Sequence, residues 1–447
     1  MEKKYFGTDG IRGKVGQSPI TPDWCVHLGW AIGRYLLNSG NEARILIGKD
    51  TRISGYMLES ALQSGLISAG ATVELLGPMP TPAIAYLTRE LEADGAIVIS
   101  ASHNPYEDNG IKIFDGKGEK LQDRDELVIE NLLAQPIKTV SAAELGKANR
   151  ITVAQEQYSD FCVGQVASPL AIKDLKIVVD CANGATYQVA PLVFLKLGLS
   201  PIFIASSPDG LNINKDCGST DLVFLQETIA REKADIGIAF DGDGDRVCLV
   251  DHQGSLIDGD DILYLLAIDL LDKGEEFGGV VGTHMTNMAF ELAFRDKGIP
   301  FFRADVGDRN VIRAMKERGW LLGGEGSGHI LNLKKTNTGD GLITALQILE
   351  IINREEKSLA EIGNAVSKYP QILKNIKCRD PDSLMADRTF CAEISSCTER
   401  LGEKGRILVR KSGTEPLVRI MIEGQSRIGI ESIGGHLESV AVSIRQD

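Results

Sequence analysis

The chain has 447 residues, room for about three domains of roughly 150 residues each. Its 48 lysines and arginines stand against 62 aspartates and glutamates, a net charge of −14, which leaves no basic excess to meet a nucleic-acid backbone. Apolar residues make up 43%, too many for a largely disordered chain, and no apolar run approaches the roughly 20 residues of a membrane span. From the N-terminus the chain runs through Phe6-Gly7-Thr8-Asp9-Gly10 with no apolar leader. The sequence then alternates short β-rich runs with helical stretches. Buried strands are predicted at 44–48, 72–76 and 96–100, with a helix at 57–69 between the first two. The same rhythm returns at 176–180 and 235–240, and again at 279–282 and 300–303. Asn109-Gly110 predicts a type I′ hairpin turn just beyond, with Lys112 on an exposed hairpin. After about residue 369, strands at 407–410 and 417–422 and a helix from about 430 define a smaller α+β domain. The expected fold is therefore α/β, three successive α/β units and a small C-terminal domain, with boundaries near 150, 255 and 368. Eight scattered cysteines without a C-x-x-C pair predict free thiols in a reducing compartment, and hence a cytoplasmic protein.

Four segments carry chemistry. Ser102, in Ile99-Ser100-Ala101-Ser102-His103-Asn104-Pro105, falls where a buried strand gives way to a loop. Ligands of open α/β sheets gather at such strand ends. A serine there serves as nucleophile or phosphoryl carrier, or simply as a turn residue. Asp241-Gly242-Asp243-Gly244-Asp245-Arg246 follows another strand. Three carboxylates alternating along an extended segment point one way, the glycines let the loop curl tightly, and the charges repel unless a cation sits between them. Oxygen-only ligands select Mg²⁺ or Ca²⁺. An EF-hand is excluded, because its sixth position would be Arg246 and its twelfth His252. Arg246 adds a fixed positive charge suited to phosphate. In Gly323–His329, Glu325, Ser327 and His329 project from a glycine-rich frame, as a sugar-binding loop or as a hinge. Arg410-Lys411-Ser412-Gly413-Thr414-Glu415-Pro416, with Arg419 beyond, reads as a phosphate nest or a basic hairpin turn.

In this order, FGTDGIRG, ISASHNP, DGDGDRV, GEGSGH and RKSGTEPLVR resemble the α-D-phosphohexomutase superfamily over essentially the whole chain. The resemblance implies three related three-layer α/β/α domains plus the smaller C-terminal one. These are 1–150 with a phosphoserine loop, 151–255 with a metal loop, 256–368 with a sugar loop and 369–447 with a phosphate loop. It implies that Ser102 carries a phosphoryl group and is a metal ligand together with Asp241, Asp243 and Asp245, which hold Mg²⁺. It further implies that Glu325, Ser327 and His329 contact the sugar, and that Arg410, Ser412, Gly413, Thr414 and Arg419 hold the substrate's other phosphate, with Arg12 also on the substrate. Lys112, His329 and Arg246 are expected in catalysis. The segments 5–15, 48–55, 77–82 and 410–416 favour glucosamine 6-phosphate and glucosamine 1-phosphate as substrates. They imply a glucosamine or glucose 1,6-bisphosphate intermediate and a place in amino-sugar nucleotide precursor synthesis for the cell envelope. A phosphosugar partner, no nucleic-acid or membrane partner and an optional homodimer complete the expectation. Another hexose phosphate, a metal-dependent phosphatase and a phosphosugar sensor are the rival readings. Gly326 departs from the family, which carries a large residue there, and Asn183 stands where histidine is common.

Overall fold

A computed structural model describes residues 3–7, 9–37, 42–167, 169–172, 174–411 and 416–444. The chain divides into two compact units. One comprises Met1–Thr283 and Ala304–Asn364, the other His284–Arg303 and Ala365–Asp447.

The first unit holds the α/β sheets. In its six-stranded sheet the order is Ile11–Lys14, Asp108–Asp115, Gly95–Ile99, Arg44–Lys49, Thr72–Pro78 and Ala148–Arg150. The four strands from Gly95–Ile99 onward are parallel, and the first two are antiparallel additions at one edge. Every residue of Gly95–Ile99 is buried, as a strand covered by helices on both faces requires. The five-stranded sheet runs Leu256–Ile257, Val247–Asp251, Ile236–Phe240, Ile177–Asp180 and Ile202–Ile204, the last three parallel. In the third sheet Val280–Thr283 lies parallel to Leu322–Gly324, which pairs antiparallel with Ile330–Asn332. The three sheets and their flanking helices make the expected α/β architecture.

The second unit contains an antiparallel sheet ordered Gln371–Lys377, Leu417–Gly424 and Gly405–Lys411. The helices Arg388–Leu401 and Arg427–Ile444 belong to this unit, and Phe390, Ile420, Ile422 and Leu437 share its core. Glu423, fully buried, accepts from Arg406 Nε at 2.7 Å and from the Met288 N–H at 2.7 Å. Among the described residues no helix is long and apolar enough to cross a membrane, and all eight cysteines are free thiols.

Two local expectations are corrected. Asn109-Gly110 makes no hairpin turn: it lies inside the strand Asp108–Asp115, opposite Gly13 and Arg12. Glycine is needed there for close approach, since a Cβ on Gly110 would sit 2.5 Å from the Ser100 carbonyl oxygen. Lys112, expected on an exposed hairpin, is consequently buried in the sheet, with 1% of its surface exposed. The second correction concerns the aspartate run. Asp241–Arg246 is not an extended segment but a turn, in which Gly244 has φ +71°. The carboxylates converge because the chain curls, not because alternate residues share a strand face.

Candidate active site

Three strand ends of the first unit deliver the candidate residues. Ser102 follows Gly95–Ile99, Asp241 follows Ile236–Phe240, and Glu325 follows Leu322–Gly324. At such ends the backbone leaves the sheet with its next side chains free to face a ligand.

Ser102 adopts φ +53° and is 1% exposed. For a residue with a Cβ this conformation costs on the order of 1–2 kcal/mol, so its surroundings must enforce it. Its N–H donates to Ser100 Oγ at 2.9 Å, and that hydroxyl donates to Asp50 at 2.6 Å. Asp50 in turn accepts from Arg52 Nε at 2.8 Å, and Arg52 Nη2 donates to the carbonyls of Ser102 and Asn104 at 2.9 and 2.8 Å. Arg52 is fully buried. Thus the loop's backbone is fixed from beneath while the Ser102 hydroxyl points outward, donating to Asp241 Oδ2 at 2.7 Å.

Asp241, Asp243 and Asp245 are buried, and each offers one carboxylate oxygen within 4.8 Å of the other two. Asp243 Oδ1 and Asp245 Oδ1 are buried without a hydrogen-bond donor. The nearest side-chain cations to Asp245 Oδ1 are His329 Nδ1 at 3.6 Å and Arg246 Nε at 3.7 Å. Oxygens left orphaned in a converging carboxylate cradle fit a hard divalent cation. Lys112 Nζ supplies part of the compensation, donating to Asp243 Oδ2 at 2.8 Å and standing 3.3 Å from Asp9 and 3.5 Å from Asp245. Thr81 binds Asp243 twice, its hydroxyl donating to Oδ2 at 2.6 Å and its N–H to the carbonyl at 2.9 Å.

This charge crowding splits the titration of the triad. Burial, then the facing carboxylates of Asp245 and Asp243, push Asp241 well above the usual carboxylate range. Burial acts the same way on Asp245, but Lys112, His329 and Arg246 together hold it well below that range. For Lys112 burial favours the neutral amine, and Asp243, Asp9 and Asp245 overcome it, so the side chain stays an ammonium. His329 likewise is drawn upward by Asp245 and Asp308 against its burial. His103 goes the other way: burial, then Arg246 and Arg12, lower it to about 4. Its Nδ1 lies 3.3 Å from Ser102 Oγ, which makes it the neutral imidazole of the site.

A cleft of about 410 Å³ opens beside the triad. Asp245, Arg246, Glu325 and His329 line it together with Arg12 and Asp308. Glu325 Oε1 accepts from the Gly307 N–H at 2.8 Å. Ser327 is exposed on the turn between Leu322–Gly324 and Ile330–Asn332 and is not part of the cleft wall. A Cβ on Gly326 would meet nothing closer than the Asp260 carboxyl at 3.5 Å, so the backbone does not demand glycine there.

In the second unit, Arg410 and Arg419 face each other across the antiparallel ladder, and Lys411 pairs with Asp382 at 2.8 Å. Ser412, Gly413 and Thr414 lie outside the described residues.

Five residues escaped the sequence reading: Asp9, Arg52, His103, Lys120 and Asp308. Lys120 pairs with both Asp9 and Asp308, joining the first sheet's layer to the helix Asp308–Arg318. Nothing in the spacing of these ordinary charged residues marks them. His103 has a signal in its place next to Ser102, and Asp9 and Arg52 fall inside the segments 5–15 and 48–55.

A four-part α/β chain with a buried serine, a carboxylate triad and a polar cleft belongs to a recognised class. Residues 3–139, 156–254 and 258–369 match alpha/beta/alpha domains I, II and III of phosphoglucomutase/phosphomannomutase, and 373–433 match its C-terminal domain. The chain therefore belongs to the phosphoglucomutase/phosphomannomutase family of phosphohexomutases. Within it, the chain is 54% identical to the phosphoglucosamine mutase of Pseudomonas entomophila (strain L48), covering 99% of this chain and 98% of that protein. Among solved structures, a phosphoglucomutase/phosphomannomutase family protein from Burkholderia thailandensis superposes with a TM-score of 0.83 at 25% identity, covering 98% and 97% of the two chains. An Aspergillus fumigatus N-acetylphosphoglucosamine mutase, solved in complex with GlcNAc-6P and magnesium, shares the fold, with a TM-score of 0.70 at 17% identity over 100% and 96% of the two chains.

Proposed function

We propose that the protein interconverts glucosamine 6-phosphate and glucosamine 1-phosphate, with Ser102 as the phosphoryl carrier. The observation that carries the reading is the Ser102 hydroxyl held 2.7 Å from Asp241 at the mouth of a buried carboxylate triad. A hydroxyl bonded to one member of a converging acid triad has little structural purpose, since a buried like-charge cluster is costly unless a cation or phosphate chemistry requires it.

In the forward direction the O1 hydroxyl of glucosamine 6-phosphate attacks the phosphorus of phospho-Ser102. The new P–O1 bond forms as the P–Oγ bond breaks, its electron pair passing to Oγ, which gains the proton lost by O1. The product is glucosamine 1,6-bisphosphate. After this intermediate reverses its orientation, Ser102 Oγ attacks the 6-phosphate. The P–O6 bond breaks, O6 takes the proton, and glucosamine 1-phosphate leaves a phosphorylated enzyme. Asp241, Asp243, Asp245 and the Ser102 oxygen would hold Mg²⁺, which supplies charge neutralisation for the transferring group. Arg246, fixed beside the triad, offers a second positive charge to the phosphoryl oxygens. Lys112, kept as an ammonium by its three carboxylate neighbours, suits charge compensation, and neutral His103 suits proton acceptance. Arg12, Glu325 and His329 line the sugar's cleft, and Ser327, exposed on the neighbouring turn, would reach the sugar from outside it. Arg410, Ser412, Gly413, Thr414 and Arg419 would hold the non-reacting phosphate. The protein acts in the cytoplasm, on a phosphosugar, without nucleic acid, and a homodimer is compatible with this role.

Peptide mapping of the purified protein tests the reading. A fraction heavier by about 80 Da at Ser102 is expected, along with mutase activity that disappears in Ser102→Ala. Full activity in Ser102→Ala would overturn it, and net release of inorganic phosphate would favour a phosphatase.

A further inference from the structure

The strained Ser102 loop is gripped from two sides. Arg52, on the first sheet's side, donates from Nη2 to the carbonyls of Ser102 and Asn104. The side-chain amide of Asn214 reaches the same two oxygens from the neighbouring α/β layer, with Nδ2 at 2.9 Å from Ser102 O and 3.0 Å from Asn104 O. Two carbonyls of one tight loop thus share four N–H bonds, half of them from another part of the chain.

Asn214 is itself prepared for this contact. It holds φ +56°, a conformation asparagine tolerates better than other residues with a Cβ. Its N–H donates to the Ala182 carbonyl at 2.9 Å. Ala182 is also left-handed, at φ +54°, and its N–H is caught by the buried carboxyl of Asp180 at 2.8 Å. The other oxygen of Asp180 accepts from the Gly218 N–H at 2.9 Å. A chain of braces therefore runs from the end of the strand Ile177–Asp180, through two strained residues, to the Ser102 carbonyl. Gly242 completes the fit: a Cβ there would stand 2.5 Å from that carbonyl oxygen and 2.8 Å from Asn214 Nδ2. The metal loop, the serine loop and the Asn214 amide meet at one point with no room for an added carbon.

We propose that Asn214 is a positioning residue for phosphoryl transfer, tying the Ser102 loop to the layer that carries the triad so that Oγ stays registered on the three aspartates. Asn214 touches neither substrate nor the transferring phosphorus; it acts through the serine backbone. The proposal rests on Ser102 being the phosphoryl carrier. In-line transfer tolerates little displacement, and a shift of about 1 Å is enough to cost about 100-fold in rate.

The test uses the full chain and two substitutions. Asn214→Gly keeps the left-handed backbone and removes the amide. Asn214→Asp keeps shape and backbone tolerance but presents an acceptor to two carbonyls. Label transfer from radioactive glucose 1,6-bisphosphate to Ser102 is followed in a single turnover, beside steady-state kcat and KM and the thermal midpoint. Both variants are expected to slow labelling and kcat about tenfold or more, with KM nearly unchanged. Phosphate on Ser102 is expected to be lost to water faster than in the parent protein. A role confined to stability would lower the midpoint and leave kcat per folded molecule intact. If Asn214→Asp fails to fold, Asn214→Gly decides alone. Labelling of Asn214→Gly at the parent rate overturns the Asn214 assignment while leaving the carrier role standing. No label on Ser102 in the parent protein overturns the carrier role and this proposal with it.

Discussion

Removing the Lys112 ammonium would leave Asp9, Asp243 and Asp245 facing one another with their shared cation gone. Breaking a buried pair this way costs about 3–5 kcal/mol, because the partner charge stays behind unpaired. Lys112→Met should therefore lower the unfolding free energy by that order in EDTA, and a divalent ion should recover part of it. Denaturant titration with and without the ion checks both halves. Recovery would identify the lysine as a stand-in for the metal's charge; equal loss in both conditions would assign it to packing. Lys112 also marks the limit of what residue-level sequence reading can see. Asn109-Gly110 has the composition of a hairpin turn, and pairing with Ile11–Lys14 on one side and Gly95–Ile99 on the other makes the segment a strand and draws Lys112 inside. Asp9, Lys120 and Asp308 come from three distant segments whose spacing carries no information about their meeting.

The helix Gly341–Glu355 shows how an element, rather than a residue, supports the site. Its N-cap Asp340 accepts from the Ile343 N–H at 3.0 Å and from the Tyr158 hydroxyl at 2.8 Å. The next N–H, of Gly341, donates to the Gly244 carbonyl in the metal loop at 3.0 Å. Burial pushes the Asp340 carboxyl up to about 6 against those hydrogen bonds. The folded protein thus binds this proton more tightly than the unfolded chain, whose carboxyl titrates near about 4. Its contribution is most favourable below the unfolded value, declines as pH rises toward about 6, and is constant above that. Asp340→Asn keeps a capping side chain and cannot ionise. Relative to the parent, its stability should improve by on the order of 2–3 kcal/mol between about pH 4 and 7. Thermal midpoints of both proteins across that range check it, and parallel curves would refute it. At this scale the sequence was largely legible, because continuous apolar strands such as Gly95–Ile99 and Ile236–Phe240 announce a covered sheet and place the following loops at its edge. The aspartate turn is half legible: its glycines announce a tight curl, which Gly244 makes at φ +71°, while the alternation of carboxylates suggests an extended face that the turn does not have.

For the whole molecule, an acidic chain with a buried cluster of like charge should be sensitive to divalent ions in its folding as well as its chemistry. If the native triad alone binds Mg²⁺, as proposed, the ion should stabilise by about 2.7 kcal/mol at roughly 100 times its Kd. Asp243→Asn should abolish that increment. Calorimetry of both proteins with added magnesium or EDTA reads it directly, and an equal gain in the variant would place the ion elsewhere. The burial of Ser102 has a consequence of its own. A side chain with 1% of its surface exposed must first be uncovered by local opening before a protein kinase or phosphatase can reach it. On the proposed mechanism, a doubly esterified sugar held in the cleft would be the donor that charges it.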